Sequence, residues 1–590
     1  MPGQFPYLSE FDYKLAHSCL TKLYYKKNNY RMNNTISAYD RCLTDACFMI
    51  YALAFYEFKP IAIKCGGDIT QGLALTLELL QQPIVTLWEP VLLANAKVAR
   101  PFILEKKAEE YNLIYISTKG FKPFRNKKND RIQSEWMSAF ASLAFQTLVL
   151  EEMLPHALVK CQMLLPDRDF VAPVDNLHHK FRIYAENSKE VLSHFSGIRL
   201  ELEDGEHLTD FLRLEEVTPE IREIMPQIKE DVDGLVQMLS NGMPKPDVPI
   251  DKHCKNCEFK EGFQECWGEL AEVKHHIFDF YHGTRLTKGN QTIVRHLIEN
   301  NKASMFDVPN EALEDNFHGN RQRIQLQYTA QNQEWLSPEI IPFLTNCSYP
   351  LHFIDFETAR LAVPPLKGLP PYTIVAFQWS CHTITSPGAT PQHHSWLSLR
   401  PDFPNWEFAQ TLSTHLAKEG TVFTWGMHEQ TILKEIYRQM QVLSYPDSAT
   451  SAWLAERLLT PLTDLHALTL KYYFHPLMMG RTSLKRVFPA IWSTNPYLHS
   501  IPWLQKYVKM EGGTLQNPYN ALDREQFIDR EVVIQEGMEA ALAYQEIHYG
   551  AEQGNPLWGK LLEQYCCLDT IGMVVVWHHW HHLADRLGIN

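Results

Sequence analysis

The chain lacks any apolar run of the roughly 18–20 residues that a membrane-spanning helix needs. Its longest candidates, such as Asp45–Tyr56, carry polar or charged breaks. A basic excess is missing too: 55 Lys and Arg face 69 Asp and Glu, a formal charge of −14. That excludes a protein coating nucleic acid through bulk positive charge. It leaves room for local basic patches and for acidic sites that hold metals. Cysteine is sparse, 12 in 590 residues, and the opening Met-Pro-Gly-Gln-Phe-Pro has no basic region followed by an apolar stretch, so no secretory signal is expected. The expectation is a cytoplasmic protein in a reducing compartment, where clustered cysteines point to a metal or metal cluster rather than to disulfides. Internal repeats and long low-complexity tracts are also missing.

What remains is an ordinary globular composition, 45% hydrophobic and 21% charged, long enough for roughly two to four domains. Strand-like stretches fall at Pro83–Trp88, Pro101–Leu104 and Leu113–Ser117, and a helical pattern at Ser134–Met153. A polar, helix-rich stretch follows the Cys- and Pro-rich segment near Cys266. From Tyr349 the pattern changes: strands are expected at Pro350–Phe356, Tyr372–Ser380, His394–Leu399 and Thr421–Trp425, with helices after them. The reading is α/β, with a first domain over 1–270, a helical connector over 271–345 and a second domain with a mixed sheet over 346–590.

His253-Cys254-Lys255-Asn256-Cys257, then Cys266, gives Cys-x2-Cys-x8-Cys. A two-residue gap lets two sulfurs face one point. Three thiols are one short of a four-ligand site; Cys19, before Leu-Thr-Lys-Leu-Tyr-Tyr, is a possible fourth. Zinc is the alternative metal, with His253 or Cys19 completing the set. The other cysteines (Cys42, Cys47, Cys65, Cys161, Cys347, Cys381, Cys566 and Cys567) read as small buried hydrophobes.

A lone cysteine before Lys-Leu-Tyr-Tyr and a distant three-cysteine cluster resemble the iron–sulfur subgroup of RecB-like PD-(D/E)XK nucleases, to which the CRISPR-associated adaptation nucleases belong. The resemblance implies a structural 4Fe–4S cluster on Cys19, Cys254, Cys257 and Cys266. It also implies Arg-x-Asp-x-Leu, Glu-x-Lys and Gln-x-x-Tyr motifs, and here the chain departs. Phe102 stands for the Asp in Arg100–Leu104, Tyr115 and Ser117 stand for Glu and Lys, and Gln146 is followed by Val149. Without carboxylates such a site does not hold a hard dication. The expectation is a nuclease scaffold that has lost hydrolysis and serves binding. Lys119, Lys122, Arg125, Lys127, Lys128 and Arg131 place six positive charges in thirteen residues, interleaved with Phe121 and Phe124. Such a stretch can track phosphates and stack bases.

In the second domain, strand alternation puts Asp355 and Glu357 on one face, with Phe356 behind. Paired carboxylates repel unless a cation lies between them, which is how a two-metal phosphoryl-transfer site begins. Glu429 follows the Thr421–Trp425 strand at a strand-to-helix junction. Tyr565 and Asp569, four apart, share a helical face. Asp464 is the reserve for Glu429. The set resembles the tyrosine-bearing DnaQ-like (DEDD) 3′→5′ exonucleases of RNase H-like fold. The resemblance implies Mg²⁺ or Mn²⁺, two ions, on Asp355, Glu357, Glu429 and Asp569, with Tyr565 orienting water. The second motif departs, since Glu429 replaces the usual Asp.

Gly480–Lys485 reads as a capped helix start, with substrate-phosphate contact the other possibility. In Trp577–His582, Trp577, Trp580 and His581 are expected to pack. The order of the halves resembles a bacterial family of fusions, a RecB-like iron–sulfur domain preceding a DnaQ-like domain. The expected function is a metal-dependent 3′→5′ exonuclease on single-stranded nucleic acid, DNA favoured. The rivals are a non-catalytic nucleic-acid-binding protein and a zinc-stapled RNA-processing exonuclease.

Overall fold

A computed structural model describes residues 7–33, 38–183, 198–200, 208, 210–283, 286–288, 291–400, 402–416, 419–460, 462–528, 530–549 and 554–589. The chain is mixed α/β and divides into two compact units. Unit 1 comprises Met1–Val248, Asn256–Cys266 and Leu361–Thr373; unit 2 comprises Pro249–Lys255, Trp267–Arg360 and Ile374–Asn590. Among the described residues no helix is long and apolar enough to cross a membrane.

In unit 1, helices α1 (Glu10–Ser18) and α2 (Leu20–Lys27) open the chain. A six-stranded mixed sheet follows: β1 (Ile61–Ala62), β2 (Ile84–Trp88), β3 (Ile103–Lys107), β4 (Glu110–Ile116), β5 (Leu158–Pro166) and β6 (Leu212–Glu216), neighbours in that order. The β1–β2 and β4–β5 pairs are parallel, the others antiparallel. Helices α3 (Met137–Met153) and α4 (Thr218–Ser240) cover one face through Phe140, Leu143, Ile221 and Val232. The other face packs Trp88, Ile103 and Ile114 against Ile50 and Leu53. Each sheet face is thus apolar, as a sheet buried on both sides requires. β1, β5 and β6 escaped the sequence reading: β1 is two residues long, and Leu158–Pro166 carries Lys160 and Gln162 between its apolar residues.

In unit 2, the stretch expected as a separate connector packs into the body. Helix α5 (Phe317–Gln331) buries a polar face of Arg321, Gln322, Gln325 and Thr329. Arg321 donates to the Tyr473 carbonyl (2.6 Å), Gln322 to that of Tyr281 (2.8 Å) and Gln325 to that of Asp279 (2.9 Å). Backbone carbonyls replace water there, so low hydrophobicity misled the reading of 271–345. The expected boundaries at 270 and 346 are likewise replaced by the discontinuous division given above.

The sheet of unit 2 has β7 (Leu351–Leu361), β8 (Thr373–Ile384), β9 (Gln392–Leu397), β10 (Thr421–Thr424) and β11 (Thr463–Asp464), in the order β9-β8-β7-β10-β11. β8–β9 is antiparallel, while β7–β10 and β10–β11 are parallel. Helices α6 (Asn405–His415) and α7 (His428–Val442) cover one face through Phe408, Leu412, Ile432 and Ile436. After α8 (Leu465–Tyr472), α9 (Leu484–Thr494) and α10 (Gly537–Tyr549), the long helix α11 (Leu557–Leu587) lies against the opposite face. Gln378 of β8 donates to the Leu562 carbonyl of α11, and Trp577 packs on Phe423 of β10. In Trp577–His582 the two tryptophans are buried as expected. His579, however, is also fully buried, 2.7 Å from Glu334.

Candidate active site

Alternation along β7 sorts its side chains. Ile354 and Phe356 enter the core under α6 and α7, with Phe356 edge-on to Phe408 at 4.9 Å. Asp355 and Glu357 point the other way, where α11 lies. The one group of three potential ligand atoms within 4.8 Å among the described residues is Asp355, Glu357 and Cys566 of α11. The chain runs from β7 outward through β8 and β9, then returns to the other side of β7 as β10, so β7 lies at the centre of the sheet.

Glu429 enters from the first turn of α7. Gly426, at φ +102°, turns the chain from β10 into that helix, a backbone region glycine adopts without strain. Its N–H donates to Asp464 Oδ1 (2.9 Å), which also accepts from the N–H groups of His466 (2.8 Å) and Ala467 (3.1 Å). Asp464, the reserve candidate, is therefore the N-cap of α8 and a clamp on the turn before α7. Glu429 is only 2% exposed, and its Oε2 has no hydrogen-bond partner. A buried acceptor without a donor is costly.

From α11, Tyr565 and Asp569 project four residues apart, at 2% and 7% exposure. Two residues outside the expected set complete the surroundings. Tyr519 donates to Asp569 Oδ1 at 2.6 Å, and Lys485, in the first turn of α9, donates to the Tyr565 hydroxyl at 2.7 Å. The Lys485 ammonium also lies 4.7 Å from the centre of the Tyr565 ring. Gly537 opens the wall: a Cβ there would stand 3.7 Å from Glu357 Oε2.

The acids feel one another. Burial first, and then the charge of Asp569, push Asp355 up to about 8; the Cys566 thiol and Lys485 oppose the rise. Burial and then Asp355 push Glu357 and Glu429 well above the usual carboxylate range. Burial also raises Asp569, against Lys485, Tyr519 and Tyr565. Four carboxyls raised together form a site short of positive charge, which a divalent cation relieves.

In unit 1 the positions where the resemblance expects nuclease motifs hold an aromatic pair and two hydrogen-bonded polar residues. Phe102 is edge-on to Tyr115 at 5.2 Å and meets Tyr51 at 5.0 Å. Ser117 is buried and caps the Lys119 N–H, and Gln146 donates to Glu10 at 2.7 Å. The basic stretch is divided. Lys119 donates to the Glu135 carbonyl, Lys122 pairs with the Glu135 carboxylate at 3.3 Å, and Arg125 is held by Glu220 (2.9 Å) and Glu223 (2.5 Å) of α4. Lys127, Lys128 and Arg131 are exposed. Phe121 and Phe124 pack on the core beside Trp136 and Phe140, so the expected base-stacking rings are occupied.

Cys19 sits at the junction of α1 and α2, and Lys22, one turn on, pairs with Glu258 at 2.9 Å, next to Cys257 in the chain. Cys266 lies 3.1 Å from the Tyr25 hydroxyl, which donates to the Gly262 carbonyl. Cys257 and Cys266 border the same small cluster of Leu15, Tyr25 and Phe259. Cys254 belongs to the Pro249–Lys255 segment of unit 2, where its sulfur accepts the Asp251 N–H at 3.4 Å. Of the remaining cysteines, Cys65, Cys161, Cys381 and Cys566 are buried, and Cys347 and Cys567 half-buried. The side chains of Cys42 and Cys47 lie outside the described residues.

A family model described as a domain of unknown function, DUF2779, matches residues 352–483. The match takes in Asp355, Glu357, Glu429 and Asp464, and ends before Lys485, Tyr519, Tyr565 and Asp569. No curated protein and no solved structure matches the chain.

Proposed function

We propose that unit 2 is a metal-dependent 3′→5′ exonuclease acting on single-stranded nucleic acid, DNA first, and that unit 1 is a nuclease-like module that has lost hydrolysis and serves binding. The observation that carries the reading is Glu429 Oε2, buried and without a donor, among three further raised carboxyls. Oxygen donors of this kind suit hard divalent ions. Asp355, Glu357, Glu429 and Asp569 would hold two Mg²⁺ or Mn²⁺, and the ions, when bound, would supply Lewis-acid polarisation of a phosphodiester.

The chain's own groups do the rest. Tyr519 fixes Asp569 in one orientation. Lys485 donates to the Tyr565 hydroxyl, and the hydroxyl's own proton is directed at Asp569. The ammonium beside it offers positive charge to a phosphate. Gly537 leaves the approach to Glu357 without a side chain. The direction of digestion and the choice of polymer rest on the DnaQ-like resemblance, as does the RNase H-like assignment of the sheet. The iron–sulfur cluster is likewise proposed from resemblance, with zinc the alternative; Cys19, Cys257 and Cys266 are the thiols unit 1 would offer.

The test is digestion of 5′-labelled single-stranded DNA and RNA of equal length with Mn²⁺, by the native chain and by Asp569→Asn. The expected result is a ladder shortening from the 3′ end, faster on DNA, and at least about 100-fold slower in the variant. Equal ladders from both proteins, or none from the native chain, would remove the enzymatic reading.

A further inference from the structure

Cys566 stands apart from the two carboxyls beside it because its ligand atom is sulfur. Its sulfur faces Asp355, donating to Oδ2 at 3.6 Å and to the backbone carbonyl at 3.8 Å. It also lies within 4.8 Å of a Glu357 oxygen. A tetrahedral zinc with Zn–S about 2.3 Å and Zn–O about 2.1 Å has an S···O edge of about 3.6 Å. The observed sulfur–oxygen separation matches that edge without movement. Glu429 Oε2, buried and without a donor, is a second sign that this region takes a ligand.

We propose that Asp355, Glu357 and Cys566 form a thiol-bearing metal position that takes a borderline-soft ion such as Zn²⁺, and that zinc there blocks the hydrolysis proposed above. The binding half stands by itself; the blocking half rests on the exonuclease reading. Zinc outcompetes Mn²⁺ and Mg²⁺ at a nitrogen, oxygen or sulfur site of given geometry, and a thiolate widens that gap. As the sulfur–metal bond forms, the thiol proton passes to the buffer, and the Cys566–Asp355 hydrogen bond is lost. Asp355 and Glu357 are then committed to zinc and cannot serve the hard ions of the four-carboxylate set. The site becomes one whose activity reports the ratio of zinc to manganese.

The test uses the full-length protein with Co²⁺ as a spectroscopic stand-in for zinc, in the native chain, Cys566→Ser, Cys566→Ala and Asp569→Asn. Thiols elsewhere contribute equally to all four, so the difference between native and Cys566→Ser spectra isolates this sulfur. The expected result is a sulfur-to-cobalt charge-transfer band, with one extra proton released, in the native chain and in Asp569→Asn. Both Cys566 variants should lack it and bind Zn²⁺ here about 10–100-fold more weakly. In the digestion assay, Zn²⁺ should inhibit native protein at a correspondingly lower concentration than Cys566→Ser, each relative to its own zinc-free rate. Identical cobalt spectra and proton release in native and Cys566→Ser protein overturn the proposal. A band difference in a protein that digests nothing with any ion upholds the metal position and removes the exonuclease reading instead.

Discussion

Replacing Asp355 by Asn should make the metal-free protein more stable. An acid whose folded-state pKa is raised destabilises the native state progressively as pH climbs above its unfolded value, until the folded value is reached. For Asp355 that interval runs from 3.8 to about 8. At pH 7 the chain has crossed about 3.2 pH units of it, at about 1.4 kcal/mol each, so the cost is at most about 4 kcal/mol. Its partial exposure trims that figure. Calorimetric unfolding in EDTA at pH 7 should therefore show Asp355→Asn melting above the native chain, with the gap closing as pH falls toward 4. Metal reverses the order. Mn²⁺ at a hundred times its Kd adds about 2.7 kcal/mol to the native chain, and much less to a variant short of one ligand. If Asp355→Asn in EDTA at pH 7 is no more stable than the native chain, the carboxyls are not crowded as described and do not call for a cation.

Lys485→Met should lower kcat/KM about 100-fold, with partial rescue by Lys485→Arg, since the methionine leaves the Tyr565 hydroxyl unheld and removes a positive charge from the phosphate; equal falls with Arg and with Met would leave Lys485 a packing residue. Burial pushes Glu334 up, but the hydrogen bond and charge of His579, with help from His475 and Tyr473, bring it down to about 2. A depressed acid stabilises above its unfolded value of 4.5 and loses that contribution as pH falls through about 2. Glu334→Gln should thus cost about 3 kcal/mol at pH 6 and flatten the acid limb between pH 4.5 and 2 in an acid-unfolding titration. Replacing Lys127, Lys128 and Arg131 together by Ala should weaken single-strand binding and reduce the slope of log K against log salt by about 2. Lys122 and Arg125, already paired with Glu135, Glu220 and Glu223, should contribute less in the same filter-binding assay.

The acid positions were legible because each rests on a local rule. Asp355 and Glu357 follow from a period of two, Tyr565 and Asp569 from a spacing of four, and Glu429 from its place just after a strand. The residues that were missed obey no such rule. Tyr519 comes from an irregular segment and reaches Asp569 across fifty positions. Lys485 was visible only as part of a helix start. Cys566 was grouped with core thiols, since burial and ligation ask for the same small side chain. α5 was misplaced because its buried face is polar and satisfied by distant carbonyls. The excursion Leu361–Thr373 into unit 1 has no signature beyond its prolines. It is held by long-range backbone bonds, Ala172 N–H to Leu369 and Gly368 N–H to Ala172.

A single carboxylate oxygen of Asp464 gathers three amides from two chain segments, and so splices the beginnings of α7 and α8 into one rigid joint. Glu429 thereby takes its place from a neighbour whose own carboxylate is spent on backbone amides. The joint also fixes how long an arm position 429 must have. An aspartate there would fall short by about 1.5 Å, one carbon–carbon bond, unless the joint were rebuilt. In this scaffold the longer acid and the three-amide splice would have to be exchanged together, as a unit of inheritance or of redesign.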